Sequence, residues 1–455
     1  MEKIIYIVHC IDAEGPLSES IEATFERIYT AFGIKIEPSY ENLKKLQNKE
    51  LYLSGKEEAV ANLVSPEKLN NSDSWNKIDI NLEEITTDEF RNEFVDSFEG
   101  GWIYNWFCLD HVGFTGENPR RRDIGYHNIY DHYKSYMEHN NCSKDMIQWH
   151  FHPPSLLKDA HRSGTSYVSS SLPFEILSRK IIDRLWFPTA FRPGFHTERP
   201  DSNWFLEQWI PFDYANQATK ETSSDQPDVS YGRFGDWRKS PKEWKIYHPD
   251  HDDYQLEGKC RRWIARCLNI EARHGQITID DLRDGFKRAE SSKPTLISFT
   301  NHDFRDIKTE IIKIRNMIKI VSEEYPNVKF KYCNAVEGMR KAIGIMNLEK
   351  PDFNIKIEHK HNSTILKIKS KNDIFGPQPF FAIKTKTNHY YWENLDFQNE
   401  HQWSYTFDFN TFNIDAIDNV GIAANTKNGV TEVVVVDVST NKIIKNILNQ
   451  NPRME

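Results

Sequence analysis

The sequence predicts an α/β protein with a largely parallel sheet or barrel, followed by an antiparallel β-sandwich. Three observations carry this. Over residues 1–347, short apolar runs rich in β-branched and aromatic residues alternate with helix-patterned segments. Acids and histidines collect where those runs end, as they do on the catalytic face of an α/β barrel. Near residue 348 the pattern changes to period two, the spacing of half-buried strands.

Taken in order, I-I-Y-I-V-H-C-I at 4–11 reads as a buried strand and is followed by Asp12 and Glu14. Residues 39–50 read as a polar helix. Residues 51–95 are polar, mixed and fit the alternation poorly, so they read as an insertion near the active face. W-I-Y-N-W-F-C-L at 102–109 is a second strand and runs into Asp110 and His111. Residues 126–139 form a helix, and M-I-Q-W then leads into His150 and His152. At 278–290 Thr278 opens a helix with Asp281 three residues on, resembling a capping box. Leu282, Phe286 and Ala289 share one face of it. T-L-I-S-F-T-N at 295–301 is a strand ending at His302 and Asp303. Ile311, Ile314, Ile318 and Val321 make an apolar stripe on the next helix. The strand V-K-F-K-Y-C and a last helix at 335–344 complete the unit.

From 348 to 455, Phe353, Ile355 and Ile357 alternate with polar residues, as do Trp403, Tyr405, Phe407 and Phe409. V-V-V-V at 433–436 reads as a fully buried strand. About seven short strands with Asn, Gly and Asp turns predict the sandwich. Its expected role is accessory: dimerisation, substrate presentation or packing against the barrel.

Composition narrows the function. The chain has 455 residues, 38% hydrophobic and 27% charged, with a net charge of −9. That balance argues against nucleic acid as the main partner, because phosphate backbones reward clustered Lys and Arg. Arg120, Arg121 and Arg122 are a local exception: a solvated loop, or a grip on phosphate or carboxylate. Aromatics reach 13%, with 12 Trp and 19 Tyr; these serve a core, and also the surfaces on which sugar rings stack. None of the six Cys forms a C-x-x-C pair, so no zinc ribbon is expected. The first apolar run is too short for a secretory signal and no run approaches membrane-spanning length. A cytoplasmic protein with reduced thiols is the expectation.

Asp12 and Glu14 are two apart, so on an extended strand end both carboxylates face one site. Two like charges held together invite a cation or force one pKa upward; the plain alternative is a solvated turn. His150 and His152 repeat that spacing. Two imidazoles and a carboxylate make a three-ligand set with positions left open, the composition of a catalytic metal site. Arg192, in F-R-P-G-F-H-T, could hold a carboxylate by a bidentate pair, or serve as a structural ion pair. His302 could act as a general acid near neutral pH, with Asp236 or Asp303 to orient it. Asp110 and His111 are expected to contact substrate or to support the metal ligands; the alternative is a hydrogen-bonded pair beneath a loop.

The order of these elements is D-x-E-G, H-x-H-P, R-P-G, D-W and a last strand with His. It resembles the polysaccharide deacetylase family, the NodB-homology branch of the carbohydrate esterases, over roughly residues 1–345. The resemblance implies a distorted (β/α) barrel of about seven strands and one divalent metal held by Glu14, His150 and His152. It implies Asp12 as general base oriented by Arg192, His302 as general acid oriented by Asp236, and Trp237 lining the groove. Zinc is the first choice of metal, with cobalt, nickel or ferrous iron as alternatives. The family's first motif has adjacent acids where this chain reads C-I-D-A-E-G, so Asp12 and Glu14 could exchange roles. Its histidines stand four apart, a position that is Pro154 here, and His161 could replace one of the pair.

The expected function is hydrolysis of an N-acyl group, N-acetyl first, on an amino sugar. A nucleotide- or carrier-linked sugar of surface glycan assembly would suit the expected compartment, with Asp110, His111, Trp237 and Arg120 on the substrate side. A homo-oligomer formed through the C-terminal domain is a further expectation. The alternatives are another metal-dependent amidohydrolase on the same barrel, and an inactive carbohydrate-binding or scaffold protein.

Overall fold

The computed structural model describes residues 3–110, 112, 124–152, 167–220, 235–271 and 276–450. Seven parallel strands close into a barrel: β1 (Ile4–Ala13), β2 (Tyr104–Leu109), β3 (Met146–Phe151), β4 (Ala190–Pro193), β5 (Phe212–Asn216), β6 (Trp263–Asn269) and β7 (Thr295–His302). Closure is made by β1, which pairs with β7 along one edge and with β2 along the upper half of the other. The lower half of that second edge, Ile4–Ile7, pairs instead with β8 (Lys329–Tyr332). The strands β1 and β2 therefore diverge at the base, and β8 fills the gap.

Strand alternation sorts the side chains. Ile5, Ile7 and Ile11 of β1 belong to the large core beneath the outer helices. Val8 and Cys10 pack with Phe107, Tyr214, Ala265 and Cys267 in a second core, the barrel interior. Helix Ala335–Ile343 adds Val336 and Met339 to that interior from the N-terminal end. Two residues above Cys10 on the same face stands Asp12, so the acids emerge at the other end, the mouth.

The helices expected at 39–50, 126–139, 278–290, around 311–321 and at 335–344 are present as Tyr40–Gln47, Asn128–His139, Ile279–Glu290, Ile307–Glu324 and Ala335–Ile343. Thr278 and Asp281 form the expected capping box, Thr278 Oγ1 accepting from Asp281 N and Asp281 Oδ2 accepting from Thr278 N. The segment read as an insertion carries short helices, of which Trp75–Ile85 buries Ile78, Leu82 and Ile85. Ser72, just before it, accepts from Leu17 N (2.9 Å) and donates its own N–H to Phe304 O (2.7 Å). It thereby ties the loops after β1 and β7 together at the mouth.

The C-terminal region folds as two antiparallel sheets, consistent with a sandwich. One has four strands, Phe353–Lys360, Ser363–Ser370, Asp396–Asn399 and Gln402–Phe407. The other has five: Phe380–Thr385, Tyr390–Glu393, Ile417–Asn425, Thr431–Asp437 and Ile443–Leu448. The run Val433–Val436 is buried on both faces. Val434 and Val436 enter the core between the sheets, while Val433 and Val435 join the barrel's outer core beside Phe187 and Trp209. Phe409, expected to continue the Trp403–Phe407 alternation, lies past the strand and is exposed.

Candidate metal centre

The barrel brings four strand ends to one point. Glu14 follows β1, His150 lies on β3, His152 just follows it, and all three are buried. His152 Nε2 lies 3.0 Å from both Glu14 Oε1 and His150 Nε2, and His150 Nε2 lies 3.5 Å from Glu14 Oε1. His150 Nδ1 is 2.9 Å from the Arg192 carbonyl, to which it donates. Its Nε2 therefore carries the lone pair. Burial pushes the His150 pKa down to about 3, which keeps the ring neutral and able to ligate. Ligand atoms about 2.0–2.2 Å from a tetrahedral ion stand about 3.3 Å from one another. The three observed separations bracket that edge length, so Glu14, His150 and His152 could hold a metal ion. A backbone carbonyl fixing the distal nitrogen of a ligating histidine is the usual outer support.

Asp12 stands outside this set. Arg192, fully buried on β4, reaches it with Nε to Oδ1 at 2.7 Å and Nη2 to Oδ2 at 3.0 Å. Its Nη1 donates to Tyr214 O at 2.6 Å. Burial alone would raise the Asp12 carboxyl, but Arg192, with His150 and His302, holds it well below the usual carboxylate range. His302 is the residue opposite Asp12 in the β1–β7 register, and its Nε2 lies 3.8 Å from Glu14 Oε1. Its side chain keeps 24% exposure, so it is the member of the group most open to the mouth.

The ligand turn is held from beneath. Asp303 accepts from Glu14 N (2.9 Å), Gly15 N (2.8 Å) and the Tyr133 hydroxyl (2.9 Å). On the other side, Gly194 and Phe195 pack on His152. A Cβ on Gly194 would fall 2.4 Å from the His152 ring, and the Phe195 ring meets it edge-on at 4.8 Å.

Several expected site residues stand elsewhere. Asp236 does not orient His302: its carboxylate is taken by Arg238, through Nε (2.9 Å) and Nη2 (2.8 Å). Asp303, the other candidate for that role, supports the Glu14 turn. Trp237 is buried against Tyr254 rather than exposed as a groove wall would be, and its indole N–H donates to His196 O at 2.8 Å. Asp110 is buried and ion-paired with Lys180 at 2.7 Å, with none of the three metal-type ligands among its contacts in the described residues. His111, Arg120, Arg121, Arg122 and His161 lie outside the described residues. Sequence reasoning missed Tyr133, Gly194, Phe195 and His196. The last three were in view in R-P-G-F-H-T, but they follow a four-residue strand that periodicity does not resolve.

Comparison with protein-family models, with curated proteins and with solved structures finds no match in any of the three. Among the described residues, no helix is long and apolar enough to cross a membrane.

Proposed function

We propose that the chain is a metal-dependent hydrolase that removes an N-acyl group, N-acetyl first, from an amino sugar. The observation that carries this reading is the tetrahedral spacing of Glu14, His150 and His152 beside a separate, arginine-bound carboxylate, Asp12. The order of motifs, similar to that of the polysaccharide deacetylases, gives the substrate class.

A divalent ion, zinc first, would polarise the acyl carbonyl and make water acidic enough to attack near neutral pH. Asp12 accepts the proton of the attacking water. Arg192 holds that carboxylate in place and in one orientation. His302, beside Asp12 and open to the mouth, donates a proton from Nε2 to the departing amine. Glu14, His150 and His152 would hold the ion. The Asp303–Tyr133 support and the Gly194–Phe195 wall keep them from relaxing apart.

The positions of Asp236 and Trp237 favour a second reading, another metal-dependent amidohydrolase on the same barrel, because fold does not fix substrate. Free acetate measured from N-acetylated amino sugars and from simple acyl amides, with the zinc-loaded protein, separates the two. Acetate from sugars that is lost in His302→Ala supports the first reading. Turnover of acyl amides alone supports the second.

A further inference from the structure

The segment after β4 makes an unusual turn. Phe195 (φ 52°) and His196 (φ 49°) are consecutive non-glycine residues in the left-handed region. Such residues are strained and persist only where the surroundings fix them. Here they are fixed. Gly235 N donates to Phe195 O at 3.1 Å, and Trp237 Nε1 donates to His196 O at 2.8 Å. Gly235 permits the approach, since a Cβ there would fall 1.6 Å from His196 O. The strained pair does two things: it sets the Phe195 ring against His152, and it turns the His196 side chain inward, where it is buried.

His196 Nε2 lies 3.3 Å from Asn269 Oδ1, at the end of β6. With that oxygen as acceptor, the proton sits on Nε2 and Nδ1 carries a lone pair. His196 Nδ1 is buried and has no hydrogen-bond partner among the described residues. The neighbouring Phe195 ring packs on His152 and Asn269 ends β6 at the barrel mouth, so the His196 ring stands at the same mouth as the metal-type ligands. A buried acceptor left without a donor is unfavourable. A strained turn held by two backbone hydrogen bonds keeps it there.

We propose that His196 is a ligand-contacting residue of this site, its Nδ1 accepting a hydrogen bond from an N–H or O–H of the molecule bound over Glu14, His150 and His152. This rests on the metal reading given above. Asn269 selects the tautomer, and the Gly235–Trp237 strap fixes the backbone. The strap bonds go to main-chain atoms, so replacing the imidazole leaves them in place.

The test uses the full-length zinc-loaded protein and two probes with the same acyl end. Acetate has no donor when ionised; acetohydroxamate carries N–H and O–H. Affinities are measured by calorimetry for the parent, His196→Ala and His196→Gln, with bound zinc and thermal midpoint recorded for each. The expected result is unchanged zinc content and acetate affinity in His196→Ala, with acetohydroxamate weakened about three- to tenfold, the size of one net hydrogen bond. Glutamine, which restores an acceptor oxygen, should recover part of the loss. Equal affinities of parent and His196→Ala for both probes overturn the proposal. So does a parallel loss of both probes or of zinc, which would make His196 a support of the ion site. A parent that binds no zinc overturns the metal reading itself, and this inference with it.

Discussion

Arg192 on β4 and Asp12 on β1 meet across the barrel lumen in a two-pronged ion pair, although their strands are not neighbours. Both side chains are buried. The pair spans the floor of the mouth and separates the two acids of D-A-E: Asp12 goes to the guanidinium and Glu14 to the histidines.

Breaking one side of that pair leaves a buried charge uncompensated. Arg192→Met and Asp12→Asn should each destabilise the metal-free protein by about 3–5 kcal/mol. The double variant should be less destabilised than the two losses added. Urea unfolding of the four proteins at pH 7 measures this; strict additivity would mean the two groups do not act as a pair.

The supports of the Glu14 turn and of His152 should matter to metal binding. Asp303→Ala removes the acceptor shared by Glu14 N, Gly15 N and the Tyr133 hydroxyl, and is expected to weaken zinc about 10- to 100-fold, as losses of outer supports do. Gly194→Ala drives a methyl into the His152 ring and should weaken zinc by a similar factor. Competition titration against a zinc chelator reads both. Parent-like affinity in Gly194→Ala would show that His152 can shift without leaving the site.

Much of this was legible in the sequence. The i, i+2 pairs at Asp12/Glu14 and His150/His152 point to one site because strand alternation is strict and each pair stands at the end of a strand. The Thr278–Asp281 cap and the Ile311–Val321 stripe are equally local signals. What was not legible depends on the path of the chain between elements. Asp236 stands one residue before Trp237, but its carboxylate finds Arg238 two residues away, a contact that spacing alone does not rank above His302. Asp110 follows its strand much as the metal-type ligands do, yet it meets Lys180 from a helix some 70 residues later. Neither β4 nor β5 has enough residues to show a period.

Acid should destabilise the metal-free protein early. Burial holds His9, His150 and His196 down to about 3, while an unfolded chain protonates histidine near 6.5. Between those values the unfolded state binds more protons, so stability falls as pH drops below about 6.5. Asp12, held low by Arg192, adds a further loss once pH falls below about 4, its unfolded range. Urea midpoints from pH 8 to 4 check the first window; a flat profile there would mean that these rings protonate in the folded state.

The sandwich is expected to be part of one cooperative unit with the barrel. Asn425 Nδ2 donates to the carbonyls of Pro188 and Trp209, both at 2.8 Å, in the seam between them. Asn425→Ala strands these buried acceptors and should lower stability by about 1–3 kcal/mol. A single unfolding transition, shifted as a whole, is the expected trace. Two separated transitions would show that the regions unfold independently.

The central claim is that Glu14, His150 and His152 hold one divalent ion. Elemental analysis of the purified protein after zinc loading and desalting, on the parent and on His150→Ala, tests it most directly. The expected result is about one zinc per chain in the parent, following from three ligands on one ion, and nearly none in a folded His150→Ala. Full zinc content in that variant, or none in the parent, would contradict the account.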